Sequence, residues 1–205
     1  TTDPLAIDKY RKIGYKNAVW MPQGYNHNLY KPLDLPKIYD VSFIGRPHGV
    51  RKEIMKNLEK AGLKVECFGD GWPNGHITVE DKIRILSQSR INLNLSESSG
   101  VLWKQLALIF VHRNFDRSIG INNPLKWYEN FQTLLAQKRE QIKGRIFKVV
   151  GCGGFLLTGY AEGMEKLYAP DKEIVFFKNL DDLIKKAKYY LSHEEERAAI
   201  AKAGQ

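Results

Sequence analysis

The chain has 205 residues, a formal net charge of +9 and a hydrophobic content of 43%. This size suits one ordinary domain or two small ones, and the apolar content supports a buried core, which excludes a disordered tail, a collagen and a disulfide-stapled miniprotein. The longest apolar run, Leu106 to Val111, is a third of the roughly 18 residues needed to cross a bilayer. Because the first residues also lack a signal-peptide pattern, we expect a soluble, cytoplasmic protein.

The charges and the cysteines narrow the classes of partner. Thirty-two Lys and Arg residues against 23 Asp and Glu residues predict an anionic partner, which could be a nucleotide phosphate, a nucleic acid or a membrane surface. Cys67 and Cys152 lie far apart without a CxxC motif, and the five histidines are scattered. This pattern predicts reduced, buried thiols and no metal site.

The first 38 residues are interpreted as a lead-in segment packed on the domain that follows. Four prolines interrupt this stretch, and a short apolar piece, Ala18 to Met21, predicts one short strand. The remainder, residues 39–205, is predicted to form one domain.

From residue 39 onward, short apolar runs alternate with amphipathic stretches. Strands are predicted at 40–45, 64–69, 91–95, 154–158 and 173–177, and helices at 50–61, after Thr78, at 180–191 and at 194–203. Gly62 is placed to end the first of these helices, and Thr78 to cap the second. The alternation predicts an α/β fold, a doubly wound and mainly parallel sheet. In such sheets ligands bind beyond the carboxyl ends of the strands.

Residues 101–140 are predicted to form a helical insertion. Two helices are predicted there, at about 101–114 and 124–141, with four aromatic residues that could pack them on the body of the domain: Trp103, Phe110, Trp127 and Phe131. The alternative is a contact surface for a partner domain, an acceptor or a membrane, because insertions on a scaffold often carry function.

Two glycine-rich stretches have different contexts. Residues 45–49, Gly-Arg-Pro-His-Gly, join a strand to a helix, where the backbone and the free helix N–H groups can approach a phosphate. The alternative is a tight turn that exposes Arg46 and His48. Residues 151–154, Gly-Cys-Gly-Gly, precede a strand, so we expect them to end a helix rather than to bind a dinucleotide.

The strongest phosphate signal is Lys143-Gly144-Arg145, ahead of a short predicted helix. Cations at a helix N-terminus are disfavoured by the helix dipole unless an anion is also bound, so this placement points to a phosphate. A solvated basic turn is the alternative. Two basic clusters, Lys138 to Arg145 and Arg113 with Arg117, leave nucleic-acid binding open, but no nucleic-acid recognition motif accompanies them.

Several longer stretches resemble one family. They are DVSFIG (40–45), QIKGRIFKVVGCGGFLLT (141–158), YAEGMEKLY (160–168), EIVFF (173–177), DDLIKKAKYYL (181–191) and EERAAIAKAGQ (195–205). The chain resembles the C-terminal half of a GT-B glycosyltransferase, of the branch related to spore-coat maturation glycosyltransferases.

The resemblance implies two Rossmann-like halves with the active site in the cleft between them. The C-terminal half holds a nucleotide-sugar donor as substrate, without a cofactor or a metal, and a separate N-terminal half holds the acceptor. On this reading the chain alone is inactive, and the mechanism of the whole enzyme is retaining. The alternative is a non-catalytic basic module that binds a nucleotide or a nucleic acid, and the charge would also suit peripheral membrane contact.

The resemblance also implies site residues. Lys143, Gly144 and Arg145 match the cationic loop that faces the donor diphosphate, and Lys143 and Arg145 are the predicted catalytic cations. The residues expected elsewhere around the donor are Gly45 and Arg46 in the first loop, and Asn94 and Ser96 near the base or ribose.

One position departs from the family pattern. Lys148 stands where relatives carry a ribose-binding glutamate, and a lysine ammonium can only donate hydrogen bonds. Glu140, eight positions earlier, corresponds to a second glutamate of retaining enzymes and is the third predicted catalytic residue. Lys148 is expected to touch a phosphate instead, or ribose recognition has been lost.

Overall fold

The computed structural model describes residues 1–4, 6–96, 106–107, 109–113, 118–137 and 142–205. Its strands are β1 (Tyr39–Ile44), β2 (Val65–Phe68), β3 (Ser89–Asn94), β4 (Val111–Arg113), β5 (Ile119–Ile121), β6 (Leu156–Gly159) and β7 (Val175–Phe177). Its helices are α1 (Ala6–Lys12), α2 (Arg51–Lys60), α3 (Val79–Gln88), α4 (Trp127–Gln137), α5 (Gly144–Gly151), α6 (Leu180–Ser192) and α7 (Glu194–Gly204). Short 3₁₀ turns lie at Pro124–Lys126 and Met164–Lys166.

Five strands form one parallel sheet in the order β2-β1-β3-β6-β7. The chain runs outward from β1 to β2 and then crosses back to β3, so the strand order reverses between β1 and β3. This is the doubly wound arrangement predicted from the sequence, and such a reversal opens a crevice at the carboxyl edge of the sheet.

Helices cover both faces of the sheet, so polar strand residues such as Ser42, Asn92 and Asn94 are buried along with the apolar ones. On one face α2, α6 and α7 pack against the sheet through Met55, Leu58, Leu183, Tyr190 and Ile200. On the other face α3 and α5 contribute Ile83, Leu86, Ile146, Val149 and Val150. The helices after β1 and β2 therefore lie on opposite sides of the switch point.

Capping residues fix where the helices begin and end. The Thr78 side chain accepts a hydrogen bond from the Asp81 N–H, and the Asp81 carboxylate accepts one from the Thr78 N–H, which is a complete capping box. Gly62 follows α2 with a φ of 85°, as its predicted role requires. A Cβ at Gly154 would lie 2.6 Å from Asn92 Nδ2, so the chain re-enters the sheet where only glycine fits.

Residues 1–38 lie against the domain. The Tyr25 ring covers Gly151, Tyr30 is buried, and Lys37 Nζ donates a hydrogen bond to the Ser87 carbonyl. The predicted strand at residues 18–21 is wrong, because no strand of the described residues includes this piece, although its backbone bonds to Thr1 at Val19 and Met21. Its Trp20 side chain also donates to the Thr2 carbonyl.

The predicted helix at 101–114 is wrong at its end. Residues 106–107 and 109–110 are helical, but Val111–Arg113 form β4, which pairs antiparallel with β5. Branched residues two apart, Ile119 and Ile121, favour the strand that pairs with it. The second predicted helix begins after a 3₁₀ turn, as α4. Residues 101–105, 114–117 and 138–141 of these two predictions lie outside the described residues. The aromatic rings of Phe110 and Trp127 pack edge to face with their centroids 5.0 Å apart.

Candidate functional site

A cationic cavity of about 260 Å³ lies at the carboxyl end of β1, between α3 and α5. It is the candidate site, because it lies beside the switch point of the sheet. Its lining consists of Ile44, Gly45, Lys82, Leu86, Arg145 and Lys148. Three of these six side chains are cations and none is a carboxylate, so an anion is the ligand that this cavity favours.

Arg145 is held in the cavity by the chain around it. Helix α5 begins at Gly144, and Lys143 precedes it as an N-cap whose side chain makes no capping hydrogen bond. The Arg145 guanidinium lies 5.0 Å from the centre of the Phe43 ring. A Cβ at residue 45 would lie 2.6 Å from Arg145 Nη2, and Gly45 has a φ of 158°. Glycine at this position therefore makes room for the guanidinium.

The Arg145 guanidinium lacks a full set of partners. Its Nη1 atom is buried and makes no hydrogen bond within the described part of the chain. Burial, and then the charge of Arg51, lower the pKa of Arg145 to about 10, so the group remains charged at neutral pH. A buried charged donor without an acceptor is costly. A buried guanidinium with a free donor, facing a cavity, is expected of a side chain that binds an anionic ligand.

Lys82 and Lys148 bring two more charges to the same cavity. Burial lowers the pKa of Lys82, and the charges of Lys148 and Arg145 lower it further. Lys148 Nζ lies 5.2 Å from the centre of the Tyr30 ring. Among the described residues, no ion pair joins Lys82, Arg145 or Lys148 to a carboxylate. Lys82 was not predicted from the sequence; its position on α3, one residue before the buried Ile83, was the signal that could have identified it.

Lys143 reaches the neighbouring strand end. Its Nζ donates a hydrogen bond of 2.9 Å to the carbonyl of Leu95, the residue after β3 has ended at Asn94. Lys143 and Arg145 thus lie on the same edge of the sheet, above β3 and β1 respectively. The structure brings together five of the predicted donor residues there: Gly45, Lys143, Gly144, Arg145 and Lys148.

Arg46 lies outside the lining of this cavity. Its Nη2 atom is 3.0 Å from Asp70 Oδ2, and 73% of its side chain is exposed. The hydrogen bond from Arg46, and then the one from His76, lower the pKa of Asp70. Trp72 Nε1 donates to the Gly45 carbonyl over 2.7 Å, which holds the loops after β1 and β2 together. The predicted donor role of Arg46 remains a prediction.

Asn94 and Ser96 are buried rather than displayed in the cationic cavity. Asn94 Nδ2 donates to Thr158 Oγ1 over 2.9 Å, and Ser96 Oγ donates to the Gly159 carbonyl over 2.6 Å. Both side chains thus tie β3 to β6. Glu140 lies outside the described residues. The predicted contacts of these three residues with the donor stay predictions.

Two hollows larger than the cationic cavity lie among the described residues. One of about 400 Å³ lies at the same edge but on the opposite face of the sheet, with Ser96 in its otherwise mainly apolar wall. The other, about 570 Å³, is a shallow depression among residues 1 and 10–19, and none of the predicted donor residues lines it. A smaller hollow of about 210 Å³ has Lys37, Arg90, Arg197 and Lys202 in its wall together with the carboxylate of Glu194. Of these hollows, the cationic cavity is therefore the one that combines several cations with no carboxylate.

Other sequence predictions have their own outcomes. Cys67 and Cys152 are free and buried, as predicted, and burial raises their pKa values to about 12 and about 11. Within the described ranges, no three His, Cys, Asp or Glu side chains gather as a metal site would require, and the expectation of no metal remains a prediction. No helix in the described part of the chain is both long and apolar enough to cross a membrane.

The sequence of the chain is similar to one family model and to one curated protein. The sequence model of the family described as "Glycosyl transferase-like" matches residues 51–205. Spore protein CgeB of Bacillus subtilis (strain 168) is 26% identical over 205 residues, which cover 99% of this chain and 60% of that protein. The chain thus spans less than two thirds of the length of this relative.

Solved structures show the likeness of the fold. A sucrose-phosphate synthase from Thermosynechococcus elongatus matches all of this chain and 51% of its own, with a TM-score of 0.57 and 12% identity. Anabaena Alr3699/HepE, solved in complex with UDP-glucose, matches all of this chain and 57% of its own, with a TM-score of 0.60 and 11% identity. AviGT4, a glycosyltransferase of Avilamycin A biosynthesis, matches 92% of this chain with a TM-score of 0.52.

Proposed function

The chain belongs to the glycosyl transferase-like family and has the Rossmann-like fold of GT-B glycosyltransferases; from this premise we propose that it binds the donor, a nucleoside diphosphate sugar. The observation that carries the proposal is Arg145, whose buried Nη1 has no partner within the described residues and lines a cavity without a carboxylate. The complex of Alr3699/HepE with UDP-glucose, in a protein of the same fold, supports this class of ligand.

The proposed chemistry depends on charge at the leaving group. When a sugar–diphosphate bond breaks, negative charge grows on the departing nucleoside diphosphate. Arg145, Lys143 and the N-terminus of α5 would stabilise this charge from positions set before the reaction, which is an efficient form of electrostatic catalysis. Gly45 would leave room for the Arg145 guanidinium beside the diphosphate. This design requires no metal ion.

The acceptor is proposed to bind to a second domain. The chain spans 51% and 57% of the lengths of two structural neighbours and 60% of the curated relative. A part of that size would hold the donor alone, and we therefore expect no sugar transfer by the isolated chain. A retaining mechanism with Glu140 near the donor sugar is part of the same proposal.

A thermal-shift panel tests donor binding. A ligand that binds only the folded chain stabilises it, by about 2.7 kcal/mol at a hundredfold excess over Kd. We expect one of UDP, GDP, ADP or CDP, or a sugar conjugate, to raise the Tm of the unaltered chain. Arg145→Met should abolish this rise. Arg84→Met is the matched control, since Arg84 is an exposed cation of α3 and should leave the rise intact.

The second candidate function is a non-catalytic basic module, and the net charge of +9 is the observation that favours it. Binding of a nucleic acid through many phosphates weakens steeply as salt rises, with a slope near the number of contacts. Binding of one diphosphate in a formed cavity weakens far less. Tight binding of single-stranded oligonucleotides with a steep salt dependence, and no nucleotide-induced shift, would favour this second function.

A further inference from the structure

The cationic cavity holds more positive charge than the N-terminus of α5 supplies by itself. Lys143 and Arg145 lie at the first turn of α5, where the proposed diphosphate would bind. Lys148 lies one turn further along the same helix, and Lys82 faces it from α3. Because Lys148 and Arg145 both lower the pKa of Lys82, the three charges act on the same space.

All polar side chains that line this cavity are hydrogen-bond donors. Its three polar side chains are Lys82, Arg145 and Lys148, and all of them are donors without an acceptor. The Gly45 carbonyl, which could have served as an acceptor, already takes a hydrogen bond from Trp72 Nε1. A sugar hydroxyl is bound best by a carboxylate, which accepts a hydrogen bond from it. The group that matches this cavity instead offers several acceptor oxygens and a negative charge.

We propose that the ligand of this site carries a third anionic group besides its diphosphate, and that Lys82, Lys148 and Arg145 bind this group in the cavity between α3 and α5. The inference rests on the proposed function and adds to it the class of donor. The group is a phosphate or a carboxylate. It can lie on the nucleoside side, as a phosphate on the ribose, or on the sugar side, as the carboxylate of a uronic acid.

Matched pairs of ligands test the inference on the full 205-residue chain by titration calorimetry. UDP-glucuronate is compared with UDP-glucose, and uridine 5′-diphosphate 3′-phosphate with UDP. The same comparison is made for the guanosine, adenosine and cytidine compounds where UDP does not bind. We expect at least one member with three anionic groups to bind ten or more times as tightly as its partner. The pair that shows the gain identifies which side of the diphosphate carries the group.

Variants locate the gain in the cavity. Lys82→Met and Lys148→Met should each reduce the preference for the third anionic group to threefold or less, because each variant removes one cation of the cavity. Arg84→Met should keep the full preference, because Arg84 is an exposed cation on the same helix as Lys82. A melting temperature for each variant shows whether it is folded, and Lys82→Gln replaces Lys82→Met if that variant unfolds.

The outcomes separate this inference from the proposed function. If the plain diphosphates bind, and no third anionic group improves affinity, the inference is wrong and the donor-binding function stands. A gain that persists in both lysine variants also overturns the inference, because the group then binds elsewhere. If no nucleotide of either kind binds, both the function and the inference fail.

Discussion

The buried Nη1 atom of Arg145, which makes no hydrogen bond within the described residues, should cost the folded protein stability. A buried polar group without a hydrogen bond costs about 1–3 kcal/mol, and more if it is charged. Because Phe43 packs against this side chain, methionine can keep much of the apolar contact. Arg145→Met is therefore expected to raise the free energy of unfolding by about 1 kcal/mol while it removes nucleotide binding. Urea denaturation of the ligand-free chain measures the change.

Arg197 provides a control, because its replacement should change the free energy of unfolding in the opposite direction. It is also a buried arginine, but its Nη1 donates to the Tyr190 carbonyl over 2.6 Å and its Nη2 lies 3.3 Å from Glu194. Arg197→Met should lower the free energy of unfolding, because it leaves a buried carbonyl without its donor. If Arg145→Met destabilises the chain as strongly as Arg197→Met does, Arg145 is a structural residue and our interpretation of it is contradicted.

The lowered pKa of Lys82 predicts a distinctive pH dependence for binding of a ligand that carries the third anionic group. In the free chain, burial and two neighbouring cations favour the neutral amine, so Lys82 loses its proton below its ordinary pKa of 10.5. An anionic ligand binds best to the charged form. Affinity should therefore be full at neutral pH and fall as the pH rises through the lowered pKa of Lys82.

The comparison with Lys82→Met isolates this titration. Dissociation constants measured from neutral pH to about pH 10 should weaken at a lower pH for the unaltered chain than for the variant. The ligand is the same in both titrations, so the difference between the two profiles reports the loss of Lys82. Identical pH profiles would show that Lys82 does not contact the ligand.

At the scale of elements, the capping box at the start of α3 positions Lys82, which lies four residues after Thr78. Thr78→Ala removes the side-chain oxygen that accepts a hydrogen bond from the Asp81 N–H over 3.0 Å. We expect a loss of about 1 kcal/mol in the free energy of unfolding, the usual value for an N-cap. Thr78→Ser keeps the oxygen and should lose much less. Equal losses in the two variants would show that the methyl contact rather than the cap matters.

Gly154 controls how the chain passes from α5 into β6. A Cβ there would lie 2.6 Å from Asn92 Nδ2 and 3.1 Å from the Val149 carbonyl oxygen, both in the packed interior. Gly154→Ala should therefore cost about 1–3 kcal/mol of unfolding free energy through overpacking. Gly24→Ala is the matched control, because nothing lies within 4 Å of a Cβ at that position. A Gly154→Ala variant as stable as this control would contradict the geometry.

Elements with strong local signals could be predicted, and those that depend on distant partners could not. The helix α3 was predicted from Thr78 and its apolar spacing, and the capping box confirms it. The hairpin of β4 and β5 was missed, because a three-residue strand has too short a pattern to compete with a helical one. Residues 18–21 have the apolar character of a strand, but no sheet edge lies beside them among the described residues.

The site was predicted in part for a similar reason. Lys143, Gly144 and Arg145 are consecutive and lie at a helix start, so their role could be proposed from the sequence alone. Lys82 is 63 positions away from Arg145 and joins it only because α3 and α5 cover the same face of the sheet. The pairing of Arg46 with Asp70 likewise depends on two separate loops that meet above β1 and β2.

At the scale of the whole molecule, the fold places charge at one edge. The five parallel strands end together, the strand order reverses between β1 and β3, and the cationic cavity lies beside that point. The net charge of +9 is spread over the chain, but unpaired positive charge converges in this cavity. Fold alone does not establish activity, so the account depends on what this one site binds.

The most direct test is a titration of the nucleoside diphosphate from the thermal-shift panel into the unaltered chain and into Arg145→Met, at low and at high salt. We predict micromolar or tighter binding to the unaltered chain, a weak salt dependence, and at least a tenfold loss of affinity in the variant, about 1.4 kcal/mol. Equal affinities of the two proteins, or binding that disappears at high salt as it does for contacts with many phosphates, would contradict the assignment of this cavity as the donor site.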